Sequence, residues 1–181
     1  MNLQSSDFEL FHLPPQFSQD RALVDARWKE LQREAHPDRF AAQGGAAQRA
    51  AMQWSVRINE AYQRLKDPLK RAAYLCELHG APVNAEINTA MPPTFLIQQM
   101  EWREALEEAR GLPALEDLAK QVEKARRETL AACAQLIDQL QDYTLAVAQV
   151  RALMFIERFA QELDGRLDAC HDELDPVGKG Q

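Results

Sequence analysis

No stretch of the 181 residues approaches the ~20 consecutive apolar residues that a membrane-spanning helix needs. The first residues also lack the charged segment followed by an apolar run that marks a secretory leader. Cysteine is scarce and badly placed for metal or disulfide chemistry. Cys76, Cys133 and Cys170 are odd in number, widely spaced and never in CxxC pairs. That argues against a disulfide framework and against a zinc module, and suits a reducing compartment. A cytoplasmic location is expected, with no metal and no cofactor. Glycine is also rare, at 7 residues, and no convincing alternation of apolar and polar residues marks a strand. Ala, Leu, Glu, Gln and Arg fill the segments between prolines, and these are strong helix formers. The fold class expected is all-α.

Positive charge is short in one half only. Residues 1–80 carry 11 Lys and Arg against 10 Asp and Glu, whereas residues 81–181 carry 10 against 18. An acidic second half is a poor match for a phosphate backbone, so no nucleic-acid partner is expected. The asymmetry suggests two units with different partners.

Asp20 is a candidate N-cap for a helix over residues 21–35, with an apolar stripe of Val24, Trp28, Leu31 and Ala35. His36-Pro37-Asp38 ends it, because a residue before proline disfavours the α region. A longer helix is predicted over 46–66, with Trp54, Ile58, Ala61, Tyr62 and Leu65 on one face. Pro68 suits the first position of a helix reaching residue 79, and Gly80 its stop. Residues 81–93 hold three prolines and no helical stripe, and read as a linker. Three helices are predicted beyond it, over 94–110, 114–140 and 144–173, forming an antiparallel three-helix bundle over 94–174. The core face of the second includes Leu115, Leu118, Val122, Ala125, Cys133, Leu136 and Leu140. That of the third includes Leu145, Ala152, Ile156, Leu163, Leu167 and Leu174. Residues 175–181 read as a frayed tail.

The tripeptide between two long helices admits more than one reading. It is a helix-stopping turn at the least. As a contact loop, its proline removes backbone freedom before binding, Asp38 accepts charge-assisted bonds and His36 donates or accepts. A catalytic His–Asp pair finds no Ser or Cys nucleophile at a recognisable spacing. No enzymatic activity is expected.

His36-Pro37-Asp38, followed by "INEAYQRLKDPLKRAAY" at residues 58–74, resembles the J-domain family of co-chaperones. The Pro-rich linker and acidic bundle that follow, opened by "FLIQQMEWREALEE", resemble the HscB family, J-type co-chaperones of iron–sulfur cluster assembly. The resemblance implies a J-domain over 1–80 that stimulates the ATPase of an HscA-like heat-shock chaperone. It further implies a bundle that brings an IscU-like scaffold protein to that chaperone. His36, Pro37 and Asp38 are carried over as the stimulating element, with Arg39, where the family often has Lys, and Lys29 on the preceding helix. That helix also carries Asp25, Glu30 and Glu34, so it is less uniformly basic than is usual for a J-domain.

On the helix from residue 94, Phe95, Gln99, Trp102, Leu106 and Ala109 share one stripe at 100° per residue. Leu96, Ile97 and Met100 fall outside it, with Glu101 and Glu104 continuing along the same side. Such a cluster either packs elsewhere in the chain or meets a partner. The resemblance assigns Leu96, Ile97, Met100, Glu101 and Glu104 to scaffold binding, with Phe155 of the last helix beside them. A J-protein serving other clients, or a helical adaptor, remains open on the residues alone.

Overall fold

The structure, a computed structural model, describes residues 4–84 and 90–174. The tail at 175–181, the middle of the predicted linker at 85–89 and the side chain of Leu174 lie outside the described residues. All elements among the described residues are helical.

A one-turn helix α1 (Asp7–Leu10) opens the chain. Ser6 caps it and accepts from the Glu9 amide, while the Glu9 carboxylate accepts from the Ser6 amide. Helix α2 (Arg21–Glu34) starts at Asp20, whose side chain accepts from the Ala22 amide. A 3-10 segment (Pro37–Gln43) leads into α3 (Gly45–Lys66). Asp67 caps α4 (Pro68–Leu78), with Pro68 in the first turn. Gly80, at φ 76°, closes α4: its amide donates to Glu77 O and the Ala81 amide to Cys76 O, leaving few carbonyls unpaired.

Helices α2 and α3 run antiparallel, tied rung by rung. Tyr62 donates to Asp25 (2.8 Å), Trp28 to Asn59 (2.9 Å) and Gln32 to Asn59 (2.7 Å), while the Ser55 hydroxyl donates to Ala35 O (3.3 Å). Across the hairpin, Asp7 is fully buried and accepts from Arg57 (2.7 Å) and Arg64 (2.6 Å). Burial of a carboxylate is tolerable only with such pairing.

Helix α5 (Pro93–Glu108) ends before Gly111, whose φ of 80° turns the chain into α6 (Leu112–Ala134). A π-helical segment (Gln135–Gln139) extends α6, and α7 (Tyr143–Leu174) returns along it. Two apolar cores result. The second joins Phe95, Trp102 and Leu106 of α5 to Leu115, Leu118 and Val122 of α6 and to Phe155, Ile156, Phe159 and Leu163 of α7. The first gathers Phe8, Phe11, Val24, Leu31, Ile58, Leu65 and Leu75. It is completed by Cys133 and Ile137 and by Ala146, Val147 and Val150 of α7. The two predicted units therefore share a core.

Polar ties reinforce that sharing. The Asp138 carboxylate accepts from the amides of Phe17 (2.6 Å) and Ser18 (2.9 Å). Arg71 of α4 donates to the carbonyls of Phe17 and Leu65, and burial pushes its pKa down. His79 stacks on Tyr143 at 3.9 Å between ring centroids.

Two predicted core positions are overturned. Leu140 and Leu145 are exposed, and Ile137 takes the core position instead. The reason for the first is the π turn, in which the Leu140 amide donates to Gln135 O. A five-residue turn rotates less per residue than an α turn, so a stripe drawn at constant pitch ends on the wrong side. Leu145 lies in the first turn of α7, where the Asp142 side chain accepts its amide beside the connection.

Candidate functional site

The 3-10 segment that follows α2 begins in a fixed turn. His36 is extended (φ −63°, ψ 125°), as a residue before proline should be, and its Nδ1 accepts from the Asp38 amide at 3.3 Å. With Nδ1 accepting, the ring proton belongs on Nε2, which remains for an external acceptor. Side-chain exposure is 59% for His36 and 88% for Asp38, and the Asp38 carboxylate lies 3.6 Å from Nδ1. The Arg39 amide donates to His36 O (3.0 Å), and its guanidinium folds back onto Arg33 O (3.3 Å) in the last turn of α2. A cation there complements the negative end of the helix dipole. Lys29 is exposed about one turn before Arg33 on α2. Further along α2, the Tyr62 hydroxyl, seconded by Arg21, holds the Asp25 carboxyl below its ordinary pKa. The turn thus offers charged and polar groups on a backbone already ordered by its neighbours.

Helix α5 presents a different chemistry. Its inner stripe is aromatic: Phe95 meets Trp102 edge-on (6.0 Å) and Phe155 (5.8 Å), while Trp102 stacks on Phe159 (5.5 Å). With that stripe buried, Leu96 (45% exposed), Ile97 (63%) and Met100 (73%) are left on the outside. Glu101 and Glu104 are exposed along the same helix. An apolar group of this kind, rimmed by carboxylates, has the character of a partner surface.

Phe155 differs from the sequence expectation. It is only 6% exposed and lies between the rings of Phe95 and Phe159. From α7 it points toward α5 rather than into solvent. Phe155 supports α5 from below and is not part of the exposed face.

Sequence reasoning missed the groups that hold α5 on α7. Arg103 pairs with Glu162 (2.9 Å) and lies over the rings of Phe155 and Phe159, at 5.6 and 5.5 Å from their centroids. Arg151 is buried and donates to two main-chain carbonyls, Val83 O (2.9 Å) and Ala90 O (3.2 Å). The only signal for Arg151 was a lone charge inside the apolar run "VRALMF".

Comparison with known proteins decides the family. A family model described as the HSCB C-terminal oligomerisation domain matches residues 91–164. The Co-chaperone protein HscB homolog of Burkholderia multivorans is 49% identical over 171 residues, covering 93% of this chain and 97% of the relative. The chain belongs to the HscB family of co-chaperones. Among solved HscB structures, Chaperone HscB from Vibrio cholerae is 37% identical with a TM-score of 0.78, covering 91% of this chain and 99% of that one. Human co-chaperone protein HscB is 25% identical with a TM-score of 0.84, covering 92% and 84% of the respective chains. The family is one of co-chaperones and not of enzymes, and membership implies a chaperone partner. No helix among the described residues is long and apolar enough to cross a membrane.

Proposed function

We propose that this protein, in the cytoplasm and without enzymatic activity of its own, couples an HscA-like chaperone ATPase to an IscU-like iron–sulfur scaffold. Residues 1–80 serve as the J-domain and 94–174 as the scaffold-binding unit. His36, Pro37 and Asp38, with Arg39 and Lys29, contact the chaperone and stimulate its ATP hydrolysis. Leu96, Ile97 and Met100, with Glu101 and Glu104, take the scaffold, and Phe155 acts beneath them.

The observation that carries this reading is the simultaneous exposure of two unlike surfaces, each backed by an ordered part of the fold. One is the ordered polar turn at His36–Asp38, and the other is the apolar outer face of α5. A small polar contact suits recognition of a conformational state, since charged groups govern encounter and specificity. Apolar anchors suit holding a client protein.

The test is the ATPase rate of the purified chaperone with this protein alone and with the scaffold added. Stimulation by the protein alone, raised more than additively by the scaffold, is the expected result. Stimulation that the scaffold leaves unchanged would redirect the bundle to another client. No stimulation at all would overturn the role given to the turn.

A further inference from the structure

Arg151 occupies an unusual place for a cation. It is 7% exposed in the first third of α7, between buried Val150 and Ala152. Its Nε donates to Val83 O and its Nη1 to Ala90 O. Val83 follows the turn that closes α4, and Ala90 stands just ahead of the Pro92-Pro93 start of α5. One planar guanidinium therefore joins the end of the first unit, the approach to α5 and the first third of α7. Only arginine holds two donors in a fixed fork of this kind.

The start of α5 depends on such a tie. Pro92 precedes it without a side-chain cap, and the first amides that close its opening turn, those of Phe95 and Leu96, both donate to Pro92 O. Between Ala90 and Leu96 the chain is thus one short, proline-stiffened path. Met91 packs on the second core at its near end, and Phe95 is the first α5 side chain to enter that core. Beyond the contacts of Phe95 and Trp102 with the rings of α7, the ion pair from α5 to α7, Arg103–Glu162, is half-exposed and at the far side of Met100. Exposed pairs contribute little.

We propose that Arg151 is a positioning residue for the scaffold-binding face: by holding Ala90 and Val83 together against α7, it fixes the entry into α5 and so, with the aromatic layer beneath, where Leu96, Ile97 and Met100 stand. This rests on the reading of that face as the scaffold site. Arg151 does not touch the scaffold; it acts through the opening turn of α5.

The experiment measures scaffold affinity by calorimetry for wild type, Arg151→Lys, Arg151→Met, Leu96→Ala/Met100→Ala and the last two combined. Arg151→Met is expected to weaken binding roughly tenfold or more, as loss of two charge-assisted bonds at a part-buried site implies. Lysine, which can reach one carbonyl, is expected to restore part of it. In the Leu96→Ala/Met100→Ala background, Arg151→Met is expected to add little, because the groups it positions are gone. Full additivity would mean a general loss of stability and would overturn the proposal. So would unchanged affinity in Arg151→Met alongside a weakened Leu96→Ala/Met100→Ala. If instead Leu96→Ala/Met100→Ala binds normally, the underlying reading of the face fails. Should Arg151→Met not fold, amide exchange in Arg151→Lys decides: faster exchange in α5 with α2 and α3 unchanged supports the positioning role, and unchanged α5 contradicts it.

Discussion

The turn at His36–Asp38 and the outer face of α5 are both exposed, yet they are built in opposite ways. The turn gains its order from the backbone: a proline, an imidazole accepting the Asp38 amide, and a hairpin whose rungs reach Ala35 itself. It presents few atoms, with an imidazole and a carboxylate foremost. The face of α5 gains its order from an aromatic layer beneath it, with Phe95, Trp102, Phe155 and Phe159 in mutual contact. It presents area, mostly apolar. On the proposed reading the contrast teaches that a signal to an ATPase needs a few groups in fixed directions, whereas retention of a protein client needs buried surface.

The sharpest way to break this contrast is at the turn. His36→Gln is expected to abolish chaperone ATPase stimulation while helical circular dichroism and scaffold affinity stay as in wild type. Next in size is Phe155→Ala, which removes a ring from the second core and is expected to cost about 3–5 kcal/mol in stability by denaturant unfolding. Scaffold binding lost without any loss of stability would instead make Phe155 a surface contact. Leu96→Ala with Met100→Ala is expected to weaken scaffold binding by about 1–3 kcal/mol in titration calorimetry, with little change in stability. Equal affinity would remove α5 from the interface.

The smallest effect concerns the core that the two regions share. Burial pushes Cys76 up from 9.0 to about 11 and Cys133 up from 9.0 to about 12. Both thiols then stay protonated and sheltered at pH 8, and iodoacetamide is expected to modify half-buried Cys170 first in the native protein. Early modification of Cys76 or Cys133 would show the halves parting. Because folding raises both pKa values, the stability linked to the neutral thiols is complete below about pH 9. It is lost as pH rises from there through 11 and 12.

Much of this was legible in the residues because it is decided locally. Asp20, Pro68 and Gly80 mark helix ends by capping and backbone chemistry, and each stands at or beside the boundary observed. The exposed side of α5 followed from periodicity, since its inner stripe was complete without Leu96, Ile97 and Met100. What escaped is set by tertiary neighbours. The π turn at Gln135–Gln139 has no sequence signature and rotates Leu140 out of the core. Helix α7 serves both cores, Ala146 and Val150 in one and Ile156 and Leu163 in the other, so no single stripe describes it. Phe155 is hidden by a ring from α5 that its own helix could not announce.

That two unlike surfaces on one chain address two proteins is tested most directly by the ATPase response of the chaperone to the Leu96→Ala/Met100→Ala variant, with and without scaffold. Wild-type stimulation in the absence of scaffold, with the extra stimulation by scaffold reduced at concentrations that suffice for wild type, is the result this account predicts. Loss of the scaffold-free stimulation, or full retention of the scaffold's effect, would contradict it.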